Sequence, residues 1–185
     1  MMPDPEDVCV LVPTLNEAET IGEVVDEFGE LGYTNVLVVD GRSDDGTAEV
    51  AAEHGARVVE QTGTGKGQAI REGLRRIGAE HVLMLDGDGT YRPRDAERML
   101  APLDEGYEHV IGNRFAEMEE GSMTRLNEFG NRAINRAFRL IHGRNFKDIL
   151  SGYRAFTRES AERFRLDADG FGVETEMAVE CVRHD

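Results

Sequence analysis

Residues 81–88, HVLMLDGD, decide the fold, because an apolar run ends there in two carboxylates one residue apart. A short, continuous apolar run is typical of a strand buried in a parallel sheet. In an extended segment residues i and i+2 face the same way, so we expect Asp86 and Asp88 to meet one cation. Gly87 between them allows a ligand to approach the backbone closely. Since hard divalent cations prefer oxygen ligands, the spacing predicts a metal–diphosphate site.

The strand context is what gives this pair its weight. The chain has 37 acidic residues, and a second Asp-x-Asp occurs at 167–169. That second pair follows only a short apolar stretch, so we assign no site to it. A bare Asp-x-Asp in so acidic a chain is otherwise most often a solvated pair.

The rest of the chain repeats the same strand-then-helix order. Apolar runs at 8–12, 36–39 and 58–59 precede amphipathic or helical segments at 21–31, 47–54 and 68–77. Four such units, counting 81–85, predict an α/β, Rossmann-like and mostly parallel sheet with helices on both faces. Ligands bind such sheets at the carboxyl ends of the strands. The polar loops 13–17, 40–46 and 86–90 should therefore share one edge.

The second half continues with less regular spacing. We expect a helix from Pro93 to Leu103, a strand at Val110–Gly112, a long helix at about 124–141, and short and final helices at 158–164 and from 173. At 185 residues the sequence fits a single domain, 1–185. The last helix is still amphipathic where the sequence ends, so we expect a further C-terminal element.

Composition excludes several classes of protein. The net charge of −16, carried with 19 Arg and only two Lys, suggests a protein of a high-salt cytoplasm and argues against nucleic-acid binding. No run of 18 apolar residues and no basic, apolar leader is visible, so we expect a cytoplasmic protein. Cys9 and Cys181 lie in apolar patterns and are interpreted as small buried hydrophobes, not as a disulfide or a metal site.

The glycine-rich segment 63–67 fits neither common phosphate-binding pattern. A P-loop would need Gly at position 60 and Ser or Thr at 67, where the chain has Glu60 and Gly67, and the dinucleotide fingerprint also fails. Lys66, flanked by glycines and one of two lysines, is open to two interpretations. It binds a phosphate or nucleotide, or it is a solvated loop lysine.

Several segments together resemble a known family. They are 10–17 (VLVPTLNE), 38–47 (VVDGRSDDGT), 65–67 (GKG), 84–88 (MLDGD), 111–114 (IGNR), 127–131 (NEFGN), 148–154 (DILSGYR) and 172–176 (GVETE). In this order they resemble the family 2 glycosyltransferases of GT-A fold, and within them the polyprenyl-phosphate sugar synthases, such as dolichyl-phosphate mannose or glucose synthase. The likeness covers residues 8–180.

The resemblance implies a role for each matching residue. On the donor side it implies a nucleotide-sugar site formed by Pro13, Leu15, Glu17, Asp40, Lys66, Asp86, Gly87 and Arg114. Asp86 and Asp88 would hold Mg²⁺ or Mn²⁺, with Asp88 the principal ligand and a catalytic residue. On the acceptor side Arg114, Arg125 and Ser151 would grip the phosphate, and Asp148 would orient the acceptor or act as base. The alternatives are that Asp40 only forms a strand-end turn and that Asp148 only caps the Ser-Gly-Tyr-Arg turn.

The implied activity is inverting transfer of a hexose from UDP-glucose or GDP-mannose to dolichyl or polyprenyl phosphate, for N-glycosylation or cell-surface glycans. A transferase with a soluble acceptor and a non-catalytic nucleotide-binding module are the alternatives. The sequence departs from the family at Gly41, where many relatives carry Asp, and at Thr90, where some offer Gln to the metal. Leu15 says little about the base.

A local charge reversal bears on localisation. Residues 122–147 hold six basic side chains and one acidic, a local charge of +5. Arg132, Arg136 and Arg139 recur at spacings of four and three and share a helix face. They either pair with carboxylates or form a basic amphipathic helix that contacts anionic lipid. The second interpretation predicts a peripheral protein at the inner face of the membrane.

Overall fold

The computed structural model describes residues 3–113, 125–144 and 146–184. For residues 125–132 and 184 it describes the backbone only. The strands of this part are β1 (Val8–Thr14), β2 (Val36–Asp40), β3 (Arg57–Glu60), β4 (His81–Met84), β5 (His109–Ile111) and β6 (Arg154–Thr157). The helices are α1 (Ile21–Glu30), α2 (Thr47–Glu53), α3 (Lys66–Leu74), α4 (Ala96–Asp104), α5 (Arg125–His142), α6 (Arg158–Arg163) and α7 (Val173–His184). Short 3-10 turns lie at Pro5–Asp7 and Pro93–Asp95.

The strands form one sheet in the order β3-β2-β1-β4-β6-β5. The first four are parallel, with Val10 opposite Val36 and Val8 opposite His81. β6 runs antiparallel between β4 and β5. The predicted mostly parallel sheet is therefore confirmed, and its parallel part consists of the four predicted strand-helix units.

Helices cover both faces of the sheet. Along β1, Val8, Val10 and Val12 pack under α1, α2 and α4, while Cys9 and Leu11 pack under α3 and α7. Neighbouring strand residues point to opposite faces, so a strand covered on both sides must be apolar throughout. This is why the strand signals are continuous apolar runs.

One strand was not predicted, and one local expectation was wrong. β6 was not predicted, because the sequence before it is polar and the strand itself begins with Arg154. The Asp86–Asp88 pair was expected on an extended segment, but β4 ends at Met84 and the chain then bends, with Gly89 at a φ of +71°. The two carboxylates are therefore placed by a turn at the sheet edge.

α5 leaves several of its large apolar side chains exposed. Of its side chains at 133–142 only Phe138 is buried, while Ile134, Leu140 and Ile141 are 41%, 75% and 76% exposed. Phe138 packs with Ile149 and with α7. Within the described residues, no helix combines the length and apolarity needed to cross a membrane.

Candidate active site

Three loops meet at the carboxyl edge of the sheet, as predicted. The Glu17 N–H donates to Thr47 Oγ1 at 2.8 Å, which joins the loop after β1 to the start of α2. Thr20 Oγ1 donates to the Gly87 carbonyl at 2.6 Å, which joins the loop after β4 to the start of α1. The three loops therefore form one connected rim.

Glu17, Asp86 and Asp88 form an acidic cluster on this rim. Burial, with the neighbouring Asp88 and Asp86, raises the pKa of Glu17 to about 7. Its Oε2 is buried without a hydrogen-bond partner. It lies against Gly87, where a Cβ would overlap the Glu17 carboxyl and come within 2.8 Å of Thr14 Cγ2. Gly87 is thus required for the close packing of Glu17 on the loop after β4.

Lys66 lies inside the site and not in solvent. It is the first residue of α3, and its Nζ contacts the Asp86 carboxylate and lies 2.7 Å from Glu174 Oε1. Burial lowers the pKa of Lys66, but Asp86 and Glu174 outweigh that effect and leave the pKa raised. The solvated-lysine interpretation was therefore wrong. Binding of a donor phosphate by Lys66 stays a prediction.

Glu174 is a site residue that sequence reasoning did not assign. It is almost fully buried at the start of α7, although its segment 172–176 was part of the family resemblance. Its partner Lys66 is more than a hundred positions away in the sequence. The available signal was the pairing need of a rare lysine in a glycine-rich segment.

The glycines around Lys66 pack against protein backbone. The Gly67 N–H donates to the Asp169 carbonyl at 2.8 Å, and a Cβ on Gly67 would lie 2.9 Å from the Ala168 carbonyl carbon. Arg71 Nη1 donates to the Ala168 carbonyl at 2.8 Å and fixes the same segment. The glycines therefore allow a close backbone crossing that the sequence did not reveal.

Asp40 forms the strand-end turn considered as its alternative role. It is buried at the end of β2, accepts the Ser43 N–H at 2.9 Å and accepts the Ser43 hydroxyl at 2.6 Å. Pro13 is buried beside it in β1, and Leu15 is 58% exposed over Gly41. Contact of these residues with a nucleoside stays a prediction.

The turn at 148–154 lies next to the acidic cluster. A Cβ on Gly152 would lie 2.5 Å from Asp86 Oδ2, and the Gly152 N–H donates to Tyr91 Oη at 2.8 Å. Asp148 and Ser151 are both buried. Gly152 therefore brings this turn against Asp86, and the acceptor roles of Ser151 and Asp148 stay predictions.

Arg154 fixes that turn through hydrogen bonds to backbone carbonyls. Its Nη2 donates to the carbonyls of Ile149 and Glu174 at 2.7 and 2.8 Å, and its Nε donates to the Ser151 carbonyl at 3.0 Å. Burial lowers the pKa of Arg154 to about 10, against the opposing effect of Glu174 and other neighbours. A charged residue in a motif is normally expected to face the ligand, and the structural role of this one was missed.

Metal binding by Asp86 and Asp88 stays a prediction. No group of three or more His, Cys, Asp or Glu side chains in the described part of the chain is arranged to hold an ion. Asp86 is half-buried, and Asp88 is exposed with its Oδ1 accepting the Thr90 N–H at 2.9 Å. Mg²⁺ is commonly held by one or two carboxylates together with substrate phosphates, which suits this pair. Arg114 and the Arg125 side chain lie outside the described residues.

A Rossmann-like sheet with this acidic rim defines the GT-A class of glycosyltransferases. Residues 9–165 match the family described as Glycosyl transferase family 2, and the chain belongs to that family.

Three comparisons extend this assignment. The chain is 62% identical over 183 residues to the glycosyltransferase AglJ of Haloferax volcanii, covering 98% of this chain and 60% of AglJ. It is 35% identical over 156 residues to a dolichyl-phosphate hexose transferase of the same organism, covering 83% of this chain and 68% of that one. A crystal structure of Mycobacterium tuberculosis glucosyl-3-phosphoglycerate synthase with Mn²⁺ and UDP-glucose superposes with a TM-score of 0.79 at 27% identity, covering 96% of this chain and 64% of that one.

Proposed function

We propose that the protein transfers a hexose from a nucleotide sugar to a polyprenyl phosphate, with inversion at the anomeric carbon. The carboxylate pair Asp86 and Asp88, at the meeting point of three loops in a family 2 fold, carries the proposal. The dolichyl-phosphate hexose transferase among its relatives supports the acceptor. Because the chain spans only 60% of AglJ, the activity of the whole protein is part of the proposal.

On the donor side, Pro13, Leu15, Glu17 and Asp40 would contact the nucleoside, and Asp86 and Asp88 would hold Mg²⁺ or Mn²⁺ against the diphosphate. Such an ion, when bound, offsets the charge that develops on the leaving nucleoside diphosphate. Lys66 keeps Asp86 in place through their ion pair. The likeness to a structure with Mn²⁺ and UDP-glucose supports this arrangement.

On the acceptor side, the chemistry needs positioning more than a strong base. A phosphate monoester has a second pKa of about 6 and is already anionic near neutral pH. Ser151, which precedes the Gly152 that lies against Asp86, would position that phosphate together with Arg114 and Arg125. Asp148 is buried and its backbone carbonyl accepts the Ser151 N–H at 3.3 Å, so we assign it to holding Ser151 in place.

The proposed setting is the inner face of the cell membrane, where a polyprenyl phosphate presents its head group. The exposed apolar side chains of α5, next to the exposed Arg136 and Arg139, support peripheral contact with lipid. The product would supply assembly of N-linked or cell-surface glycans. The haloarchaeal relatives and the acidic composition support a high-salt cytoplasm.

The test is a panel of UDP- and GDP-hexoses with Mn²⁺, each offered dolichyl phosphate, farnesyl phosphate, 3-phosphoglycerate or a soluble sugar. We expect a lipid-phosphate sugar of inverted configuration, and no product when EDTA is present. Transfer to a soluble acceptor alone would establish the alternative transferase. Tight nucleotide binding without turnover on any acceptor would establish a binding module, and either result would refute the proposal.

A further inference from the structure

Phe171 lies at the rim of the site, and its ring is exposed to solvent. Its side chain is 81% exposed, more than any other large hydrophobic residue in the described part of the chain. Its ring centroid lies 5.9 Å from Lys66 Nζ, the ammonium that contacts Asp86. An apolar ring therefore lies one side chain away from the predicted metal carboxylates.

The backbone that carries this ring is fixed on two sides. The Asp169 carbonyl accepts the Gly67 N–H at 2.8 Å, on the side of α3. Glu176 Oε2 of α7 accepts the N–H groups of Asp167 and Ala168 at 3.0 and 2.8 Å. Phe171 follows closely on this anchored segment, so its exposure results from a defined backbone position.

The site has two sides, and Phe171 lies on the side away from the loops predicted to hold the nucleoside. The loops predicted to hold the nucleoside lead into α1 and α2, which pack on one face of the sheet. Phe171, Lys66 and Glu174 belong to α3 and α7 or to the segment between α6 and α7, and α3 and α7 pack on the other face. Asp86 lies at the edge between the two halves.

We propose that Phe171 is an apolar contact for the first isoprene units of the acceptor, an inference that rests on the proposed function. The chain of a polyprenyl phosphate must leave the site across the rim once its phosphate is near Ser151 and Asp86. A flat aromatic ring offers methyl-branched alkenes a large contact area without any polar group to desolvate. The ring thus favours a lipid phosphate over a hydrophilic phosphate monoester.

The absence of tryptophan from the chain permits a direct binding test. Phe171→Trp introduces a single indole fluorophore at the proposed contact, and Leu31→Trp, at a position 41% exposed at the end of α1, is the matched control. We expect farnesyl phosphate to shift the indole emission of the Phe171→Trp protein to the blue and inorganic phosphate to leave it unchanged. The Leu31→Trp protein should not respond to either compound.

A kinetic test separates acceptor contact from donor contact. Phe171→Ala should raise KM for farnesyl phosphate by roughly ten- to a hundred-fold, as expected for loss of a buried phenyl contact. The kcat value and the affinity for the nucleotide should stay within about two-fold of wild type. The Phe171→Tyr protein, which keeps an aromatic ring, should have a KM for farnesyl phosphate close to that of wild type. An emission change in Phe171→Trp on adding nucleotide sugar, but none on adding farnesyl phosphate, would overturn the inference and place the ring on the donor.

The two proposals fail in different ways. Sugar transfer to farnesyl phosphate, with no emission change in Phe171→Trp and an unchanged KM in Phe171→Ala, would overturn the lipid contact alone. A full emission response of Phe171→Trp to farnesyl phosphate, with transfer only to soluble acceptors, would overturn the proposed function and leave the apolar contact intact.

Discussion

Asp88 offers the cleanest substitution in the acidic cluster. It is exposed, and its Oδ1 accepts a hydrogen bond from the nearby Thr90 backbone, so its removal should spare the core. We predict that Asp88→Ala lowers sugar transfer by roughly a hundred-fold or more, because a lost metal ligand costs several kcal/mol of transition-state stabilisation. Initial rates with Mn²⁺ measure this, together with the thermal midpoint, which should stay near wild type.

The control for Asp88 is Asp167→Ala, in the second Asp-x-Asp of the chain, which is also exposed. It should keep wild-type activity. EDTA-sensitive turnover at the wild-type rate in Asp88→Ala would refute its assignment as a metal ligand.

Asp40 has a structural role that complicates its proposed role in nucleoside binding. Because both carboxylate oxygens hold Ser43, Asp40→Ala should lower the free energy of unfolding by about 1–3 kcal/mol. We predict that it also weakens binding of UDP or GDP, whichever the protein uses. Ser43→Ala is the matched control, since it removes the hydroxyl partner but keeps the carboxylate. Calorimetric titration in which both variants bind nucleotide equally well would reject the contact with the base.

The residues of the site differ in how far sequence could predict them. Asp86 and Asp88 were predictable because their position depends on local order, an apolar strand followed by a loop. The Lys66–Glu174 ion pair was not, because one sequence carries no signal for a contact between residues this far apart. Arg154 was missed for a different reason. Its three partners are backbone carbonyls, which every residue has, so no side chain in the sequence indicates the contact.

The strands also differ in how far the sequence predicts them. β1 to β4 lie between helices on both faces of the sheet, so hydrophobicity alone indicated them. β6 carries four residues, Arg-Ala-Phe-Thr, and pairs antiparallel with β4 through contacts such as Val82 opposite Phe156. Its apolar residues Ala155 and Phe156 are not β-branched, unlike Val58 and Val59 of the equally short β3, so only the partner strands define β6.

The segment before α7 crosses the start of α3 at Gly67. We expect Gly67→Ala to destabilise the fold by about 1–3 kcal/mol or more, because its methyl group would meet the backbone of Ala168 and Asp169, which cannot move aside as a flexible side chain can. Chemical denaturation measures the loss. Gly78→Ala, with nothing within 4 Å of its Cβ position, is the control and should be nearly neutral. Equal stability of the two variants would show that the crossing is loosely packed.

The charge of the whole molecule can be counted directly from the sequence. A net charge of −16 repels anionic membranes, yet residues 122–147 carry a local charge of +5. The structure adds what the sequence could not show, namely that α5 leaves Leu140 and Ile141 three-quarters exposed beside Arg136 and Arg139, which are exposed too. Apolar and basic side chains therefore lie next to each other on the outside of the protein, as on helices that bind lipid surfaces.

We therefore predict that changing Arg136 and Arg139 together to Gln weakens binding to anionic vesicles. Each basic residue near such a surface contributes on the order of 1 kcal/mol, so the pair should cost roughly thirty-fold in affinity at low salt. The exposed pair Arg75 and Arg94, changed to Gln, removes the same charge elsewhere and should have little effect. Co-sedimentation with phosphatidylglycerol vesicles measures binding, and nucleotide affinity should be unchanged in both variants.

High salt should distinguish the electrostatic from the apolar contribution of α5 to membrane binding. Because the Debye length falls to about 3 Å at 1 M salt, the arginine pair should matter much less there. Leu140→Gln with Ile141→Gln should then become the more damaging change, since apolar contact is not screened by salt. If both α5 variants sediment with vesicles as wild type does, at low and at high salt, α5 does not bind the membrane and its exposed face serves another contact.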